Sequence, residues 1–384
     1  MRRLAVLGST GSVGRSTLDV VRHHPGAVKV EALAARGSRL DLLLRQIEEA
    51  RPALVAVYDE ERAAELAAAV GDGVEVVAGE EGLLRAATLP RVDRVVAAMV
   101  GAAGLPAVHA AVAAGTDVAL ANKESMVVAG PLLNRLAERT GARILPVDSE
   151  HAALHQALRC GAGREVRRLV LTASGGPFRN RPAESWAEIT PEEALAHPTW
   201  EMGAKISVDS ATLMNKALEL IEASYLFGLP AERIDVVVHP QSIVHSLVEY
   251  VDGSWIAQLS VNDMVFPIQY AVAYPDRWAN EFPRLDPARL GTLEFEPLDR
   301  ERFPTVDLAR RALASGLSAT AVLNAANEVA VRAFLDRRIS FPRIFEICRG
   351  VLDEHRPEEV ADLDRALHWD RVGRDVARRA LADP

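Results

Sequence analysis

Lysine is scarce in this chain: of 384 residues 44 are basic, yet only four are lysine, at Lys29, Lys123, Lys205 and Lys216. Arginine is a rigid five-donor fork and lysine a compact, flexible point charge, so a site built around one does not simply accept the other. Lys123, Lys205 and Lys216 fall in short polar segments, and their surroundings must decide between site chemistry and composition bias. Cysteine is scarcer still. Cys160 and Cys348 are far apart and match no metal or disulfide spacing, which with the arginine-rich, signal-free start predicts a reducing, cytoplasmic setting. Long apolar runs are missing too. The first, Leu4 to Leu7, is too short for a signal-peptide core or a membrane span. Excess positive charge is also absent: a net charge of -9 argues against a general nucleic-acid or anionic-membrane binder and leaves local positive charge for a small anionic ligand.

Between Arg3 and Val147, short Val/Leu/Ala runs alternate with amphipathic helical stretches. Strands are predicted near 3–8, 28–34, 54–57, 75–78, 93–97, 117–120 and 143–147, and Asp59 and Pro106 stand at helix starts. Strands this uniformly apolar are covered on both faces, so an N-terminal Rossmann-like doubly wound parallel sheet is expected over residues 1–148. From 149 to 275 the texture changes to strands near 168–172, 234–239, 243–250 and 255–260 with a turn at Asp252-Gly253, predicting a largely antiparallel sheet in a central α+β catalytic domain. A proline-bearing stretch, 276–304, reads as a linker. Residues 305–384 carry four helical segments interrupted near Gly316, Ser340-Phe341-Pro342 and Arg356-Pro357, as in a C-terminal helical bundle.

The first strand runs into Gly8-Ser9-Thr10-Gly11-Ser12-Val13-Gly14 and then a helix. Glycines let the backbone approach a pyrophosphate, and the helix N-terminus stabilises the anion. The spacing is GxxGxxG rather than GxGxxG, and a tight βα turn without a ligand is the alternative. After the second strand, where an NAD site would place an acid, the chain reads Arg36-Gly37-Ser38-Arg39. Two arginines and a serine suit the 2′-phosphate of NADP; solvated arginines are the competing reading.

Asp148-Ser149-Glu150 follows the last strand of the sheet. If the extended conformation persists, both acids point to one side and suit Mg²⁺ or Mn²⁺. Equally, the segment reads as a helix start with Ser149 as cap. Asn215 and Glu219 share a helical face at i, i+4, with Lys216 close by, either as a converging polar site or as an exposed face with a weak ion pair. Ser207 to Thr212 supplies hydroxyls before that helix, and Ser174-Gly175-Gly176 offers a hydroxyl and backbone N–H groups after a strand. His197 to Lys205, with Trp200 and Met202, has the composition of a lid, although Trp200 and Met202 suit ordinary packing equally.

These segments together resemble the 1-deoxy-D-xylulose 5-phosphate reductoisomerase family. The likeness runs through GSTGSVG (8–14), VGAAG (100–104), ANKES (121–125), PVDSEH (146–151), SGGPF (174–178), HPTWEMGAKISVDSATLMNK (197–216), HPQSIVHS (239–246) and LNAANE (323–328). The resemblance implies metal ligands at Asp148, Glu150 and Glu219, and substrate contacts at Lys123, Ser149, Glu150, Ser174, His197, Trp200, Ser210, Asn215, Lys216 and Glu219. Ser174, Ser210, Asn215 and Lys216 are implied for the phosphate. Cofactor contacts are implied at Thr10, Gly11, Ser12, Val13, Asn122, Glu124 and Gly203, whereas Arg36-Gly37-Ser38 departs from the family's usual Gly and Asn or Lys.

The implied reaction rearranges the phosphorylated ketose and reduces the resulting aldehyde with NADPH to 2-C-methyl-D-erythritol 4-phosphate, in a homodimer using Mg²⁺, Mn²⁺ or Co²⁺. The resemblance implies Lys123, Asp148, Glu150, His197 and Glu219 as the catalytic set. His151 and His245 suit structural roles better than acid–base ones. A phosphorylating or semialdehyde dehydrogenase would need a catalytic cysteine, and neither Cys160 nor Cys348 has a partner base in the sequence. An NADP-sensing binding protein would have no use for three convergent carboxylates.

Overall fold

The protein, a computed structural model, is described here for residues 1–196, 200 and 202–382. It divides into two compact units. The first comprises Met1–Ser125, Leu133–Ala152 and Asp263–Pro283, and the second Met126–Leu132, Ala153–Asn262 and Arg284–Pro384.

In the first unit, β1 (Arg2–Leu7), β2 (Val28–Ala35), β3 (Leu54–Val57), β4 (Glu75–Ala78), β5 (Arg94–Ala97), β6 (Asp117–Leu120) and β7 (Ile144–Pro146) form a seven-stranded sheet in the order β4-β3-β2-β1-β5-β6-β7. Every pairing is parallel. The strand boundaries agree with the sequence pattern because both faces are covered: Leu4, Val6, Val55 and Val96 are fully buried in one core. Helices α1 (Ser12–His23), α2 (Leu40–Ala50), α3 (Glu60–Val70), α4 (Gly79–Ala87) and α5 (Leu105–Ala113) connect the strands. Asp59 caps α3 by accepting from the Arg62 N–H, and Pro106 occupies the first turn of α5, as their sequence positions predict. Strand order reverses at β1, so ligand chemistry is expected at the carboxyl ends of β1 and β5. Helix α6 (Lys123–Thr140) follows β6, and α7 (Ser149–Ala157) follows β7.

The second unit holds a five-stranded sheet of β8 (Val166–Ala173), β9 (Ile234–Val238), β10 (Val244–Tyr250), β11 (Trp255–Leu259) and β12 (Glu296–Pro297), in the order β11-β10-β8-β9-β12. Its pairings are antiparallel except β8 with β9. The helices α8 (Pro191–Leu195), α9 (Ala204–Ala211) and α10 (Met214–Phe227) lie between β8 and β9 in the chain. Helix α11 (Val265–Ala273) belongs to the first unit, where it packs on α1. The C-terminal helices are α12 (Thr305–Ser315), α13 (Leu317–Leu335), α14 (Phe341–Glu354) and α15 (Leu363–Ala382), broken where Gly316 and the proline segments predict.

The compact units differ from the sequence boundaries at 275 and 304. Asp263–Pro283 belongs to the parallel-sheet unit, where the buried Arg94 guanidinium donates to the carbonyls of Ala271 (2.5 Å), Val272 (2.8 Å) and Tyr274 (3.2 Å) at the end of α11. The C-terminal helices share a unit with the second sheet, and the stretch read as linker supplies β12. Among the described residues no helix is long and apolar enough to cross a membrane.

Candidate active site

The glycine loop is shaped by backbone packing. Gly8 has φ +88°, and a Cβ there would lie 2.5 Å from the Ala98 carbonyl oxygen; at Gly14 it would lie 2.3 Å from the Gly8 carbonyl oxygen. Such distances admit only glycine, so the turn wraps tightly between β1, β5 and α1. Gly11 is the N-cap of α1 and offers no side-chain cap, which leaves first-turn N–H groups for an anion. Gly11 and Ser12 are exposed, Thr10 and Val13 half-buried. Arg36 and Ser38, both exposed, follow the neighbouring strand β2, and Arg39 donates to the Thr10 carbonyl at 3.4 Å. The arginine segment thus borders the glycine loop.

Beyond β6, the buried Asn122 amide donates to Met99 O (2.8 Å), Gly101 O (2.9 Å) and Glu124 (2.9 Å), while Ser125 donates to its carbonyl oxygen. Asn122 therefore commits its side chain to holding the loop after β5, with Glu124 buried beside it. Lys123 is buried, and its Nζ lies 2.5 Å from Asp148 Oδ2.

The extended conformation does not persist through Asp148 and Glu150. Strand β7 ends at Pro146 and α7 begins at Ser149. The Ala152 N–H donates to the Asp148 carbonyl at 2.8 Å and the Ser149 N–H to Asp148 Oδ1 at 3.1 Å. Asp148, rather than Ser149, thus starts the helix. Capping and metal binding do not exclude each other, because each carboxylate oxygen has more than one lone pair. Ser149 Oγ donates to Glu150, and the buried His151 has Nδ1 3.9 Å from Asp148 Oδ2.

In the second unit the chain after β8 turns sharply through Gly175 (φ +85°) and Gly176 (φ +68°), and the Gly176 N–H donates to Ser174 Oγ at 3.2 Å. A Cβ on Gly176 would lie 2.6 Å from the Ser210 carbonyl oxygen. This close approach brings the Ser174 turn against the end of α9. Between α9 and α10, buried Leu213 adopts φ +56°, a left-handed conformation that costs a non-glycine residue about 1–3 kcal/mol and is characteristic of functional corners. Asn215 donates to Glu219 Oε1 at 2.5 Å and Lys216 to Oε2, with Lys216 and Glu219 both buried. The reading of this face as exposed is thereby overturned. Ser174, Ser210, Asn215 and Lys216 belong to this one unit.

His197 lies outside the described residues, as do Pro198, Thr199 and Glu201 of the segment read as a lid. Trp200 is half-buried, and Gly203, exposed, is the N-cap of α9. Two other histidines of the quoted strings make hydrogen bonds within the second unit. His239 accepts at Nε2 from the Ile243 and Val244 N–H groups (3.1 and 3.2 Å), which leaves Nδ1 to donate to Glu294 O at 2.7 Å. His245 Nε2 is 2.8 Å from Ser260 Oγ. Two polar side chains escaped the sequence reading, Asp209 and Asn327. Both stand inside the quoted strings, which was the available signal.

A glycine-lined first turn in a doubly wound sheet, joined in one chain to a unit with a serine, lysine and asparagine cluster, defines a two-unit dinucleotide-dependent enzyme of small anionic substrates. Models of 1-deoxy-D-xylulose 5-phosphate reductoisomerase match residues 4–130, its C-terminal domain residues 144–227, and a DXP reductoisomerase C-terminal domain residues 259–376. The chain is 50% identical over 382 residues to the Chlorobaculum tepidum 1-deoxy-D-xylulose 5-phosphate reductoisomerase, covering 99% of this chain and 100% of that protein. It is 52% identical over 381 residues to the Anaeromyxobacter dehalogenans enzyme, covering 99% and 97%. A solved DOX-P reductoisomerase in complex with NADPH, fosmidomycin and magnesium superposes with a TM-score of 0.95 at 42% identity, covering 100% and 98%. The Zymomonas mobilis enzyme in complex with NADPH gives 0.93 at 41%, covering 100% of both chains. The chain belongs to the 1-deoxy-D-xylulose 5-phosphate reductoisomerase family.

Proposed function

We propose that this chain converts 1-deoxy-D-xylulose 5-phosphate to 2-C-methyl-D-erythritol 4-phosphate with NADPH and a divalent metal, the first unit binding the nucleotide and the second the phosphorylated substrate. The reading is carried by the Asn215–Lys216–Glu219 face, with Lys216 and Glu219 buried, beside the Ser174 and Ser210 turns, in a chain at least 50% identical to reductoisomerases over nearly its whole length. Thr10 to Val13 hold the pyrophosphate through the uncapped start of α1, and Arg36 with Ser38 binds the 2′-phosphate. Asn122, Glu124 and Gly203 complete the cofactor contacts, Asn122 by fixing the neighbouring loop. NADPH supplies the hydride.

Asp148, Glu150 and Glu219 are the proposed metal ligands. They are hard oxygen donors suited to Mg²⁺, with Mn²⁺ or Co²⁺ as substitutes. The donor set fits a cation: each carboxylate oxygen has more than one lone pair, so the ion pairs of Lys123 with Asp148 and of Lys216 with Glu219 leave acceptor capacity for a metal. A bound metal supplies Lewis-acid polarisation of the substrate's oxygens. Lys123 neutralises negative charge developing on the substrate, Ser149 orients it, and Ser174, Ser210, Asn215 and Lys216 hold its phosphate. His197 and Trp200 are assigned to covering the substrate and excluding water.

A homodimer is proposed through β11, the outer strand of the second sheet, which exposes Trp255 (45%) and Leu259 (37%); an apolar sheet edge is a template for pairing with a second copy. Free cysteines, with Cys160 exposed, support a cytoplasmic location. The function is tested by NADPH absorbance loss on adding 1-deoxy-D-xylulose 5-phosphate and Mg²⁺, with the product identified. Metal-dependent oxidation that yields the methylerythritol phosphate is expected, and no oxidation with all components saturating would overturn the assignment.

A further inference from the structure

We infer that Asp209 is a positioning residue for the phosphate-binding turn, acting through a clasp with Lys205 and Asn327; the inference rests on the assignment of Ser210 to the substrate phosphate. Lys205, in the first turn of α9, places Nζ 2.8 Å from Asp209 Oδ2, and Asn327 on α13 donates to Asp209 Oδ1 at 2.7 Å. One carboxylate is thus gripped along its own helix by a cation and across to a second helix by an amide. Its side chain is only 2% exposed. A buried ion pair contributes little net stability compared with apolar packing, and its best-attested use is to fix one arrangement among several. Here the arrangement fixed is that of α9, whose next residue is Ser210.

The helix depends on such attachment. It has eight residues, no side-chain cap at Gly203, and the left-handed Leu213 just beyond its C-terminal end, so little intrinsic helical stability holds it in place. Asn327 is a firm anchor because α13 is itself tied down. Asn324 donates to Glu328 at 3.1 Å, and Arg374 of α15 reaches Glu328 at 2.6 Å and Asp370 at 2.7 Å. The amide orientation of Asn327 follows from charge: its NH₂ faces the carboxylate, and its Oδ1 is buried without a hydrogen-bond partner. The neighbouring Cys348 is fully buried, and burial together with the Asp209 carboxylate pushes its thiol up, so it stays neutral beside the clasp. A lysine rather than an arginine suits the position, because a guanidinium fork would engage both Asp209 oxygens and compete with Asn327. The LNAANE string and Lys205 thereby gain a role in the same reaction, through the orientation of Ser210.

The test uses the full chain with NADPH, Mg²⁺ and 1-deoxy-D-xylulose 5-phosphate, comparing Lys205→Met, Asp209→Asn, their combination and Ser210→Ala. Each clasp variant is expected to raise KM about tenfold while changing kcat by less than about threefold, with NADPH affinity unchanged, and the double variant to be no worse than the more affected single one. Multiplying penalties in the double variant would mean that Lys205 touches substrate directly and would overturn the clasp. A joint fall of kcat, substrate affinity, NADPH affinity and Tm would reduce the trio to a folding element and overturn it as well. If Asp209→Asn does not fold, Lys205→Met and Asn327→Leu form the same cycle. Unchanged KM in the clasp variants, with KM raised in Ser210→Ala, defeats this inference alone. Unchanged KM in Ser210→Ala defeats the phosphate assignment and this inference with it.

Discussion

Lys216→Ala removes an ammonium that the structure sets against the Glu219 carboxylate, both side chains being at most 4% exposed. Two consequences follow from one deletion. If Lys216 Nζ binds the substrate phosphate, the variant loses a charge-assisted hydrogen bond of about 1.5–3 kcal/mol. That corresponds to a rise in KM of roughly 10- to 150-fold. The second consequence concerns the free protein. Glu219 keeps the Asn215 amide at 2.5 Å but loses its cation, and breaking a buried pair from one side costs about 3–5 kcal/mol. For a unit of this size that lowers Tm by on the order of 10 °C. A metal bound at Glu219 returns positive charge to the carboxylate, so Mg²⁺ should raise the Tm of the variant more than that of the wild type. The assay pairs steady-state NADPH consumption against substrate concentration with thermal unfolding with and without Mg²⁺. A KM within about twofold of wild type would remove Lys216 from the phosphate site, and equal Mg²⁺-induced shifts would refute the charge argument.

Gly14→Ala should abolish tight NADPH binding and destabilise the protein by about 1–3 kcal/mol or more, since the new Cβ would meet the Gly8 carbonyl oxygen at 2.3 Å with only backbone around it; a fluorescence titration of NADPH equal to wild type would contradict this. His155 has its pKa lowered from 6.5 to about 4, first by burial and then by Arg159. The folded state therefore holds it neutral, and that contribution is present above pH 6.5 and lost as pH falls through 6.5 towards 4. Relative to His155→Gln, the wild type should lose about 2 kcal/mol between pH 7.5 and pH 5; parallel urea-unfolding midpoints of the two proteins across that range would contradict the burial argument. Leu259→Arg, at the outer strand of the second sheet, should shift the sedimentation coefficient to that of a monomer, and an unchanged dimer would place the interface elsewhere.

The parallel sheet was legible because its strands are buried on both faces and its helices carry capping residues such as Asp59 and Pro106. The period and the punctuation agree there. Helix α11 was not legible. Val265–Ala273 is apolar apart from Gln269 and Tyr270 and buried at eight positions from Val265 and Pro267 to Ala273, so it has no amphipathic period to read. Strand β12 is two residues long, below any pattern. Its pairing with β9 depends on tertiary contact alone.

At the site, the glycine loop and the Asn215–Lys216–Glu219 face could be read from local spacing, since i, i+3 and i, i+4 neighbours meet on any helix. The geometry of Asp148 could not, because whether β7 continues or gives way to α7 depends on the packing around Pro146. Arg94 was hidden for a related reason: an arginine within a strand reads as solvated until its partners, Asp117 at 3.0 Å and the end of α11, are in view. Asp209 and Asn327 are 118 residues apart, and nothing in the local sequence announces their contact.

The central claim, that Asp148, Glu150 and Glu219 hold the divalent metal on which the proposed NADPH-dependent conversion of 1-deoxy-D-xylulose 5-phosphate depends, is tested most directly by Glu219→Gln. NADPH oxidation by wild type and variant is followed as a function of Mg²⁺ concentration, alongside NADPH binding. The account predicts a loss of at least about 100-fold in turnover at Mg²⁺ levels that saturate the wild type, with NADPH affinity unchanged. An almost unchanged kcat and Mg²⁺ dependence in the variant would contradict it.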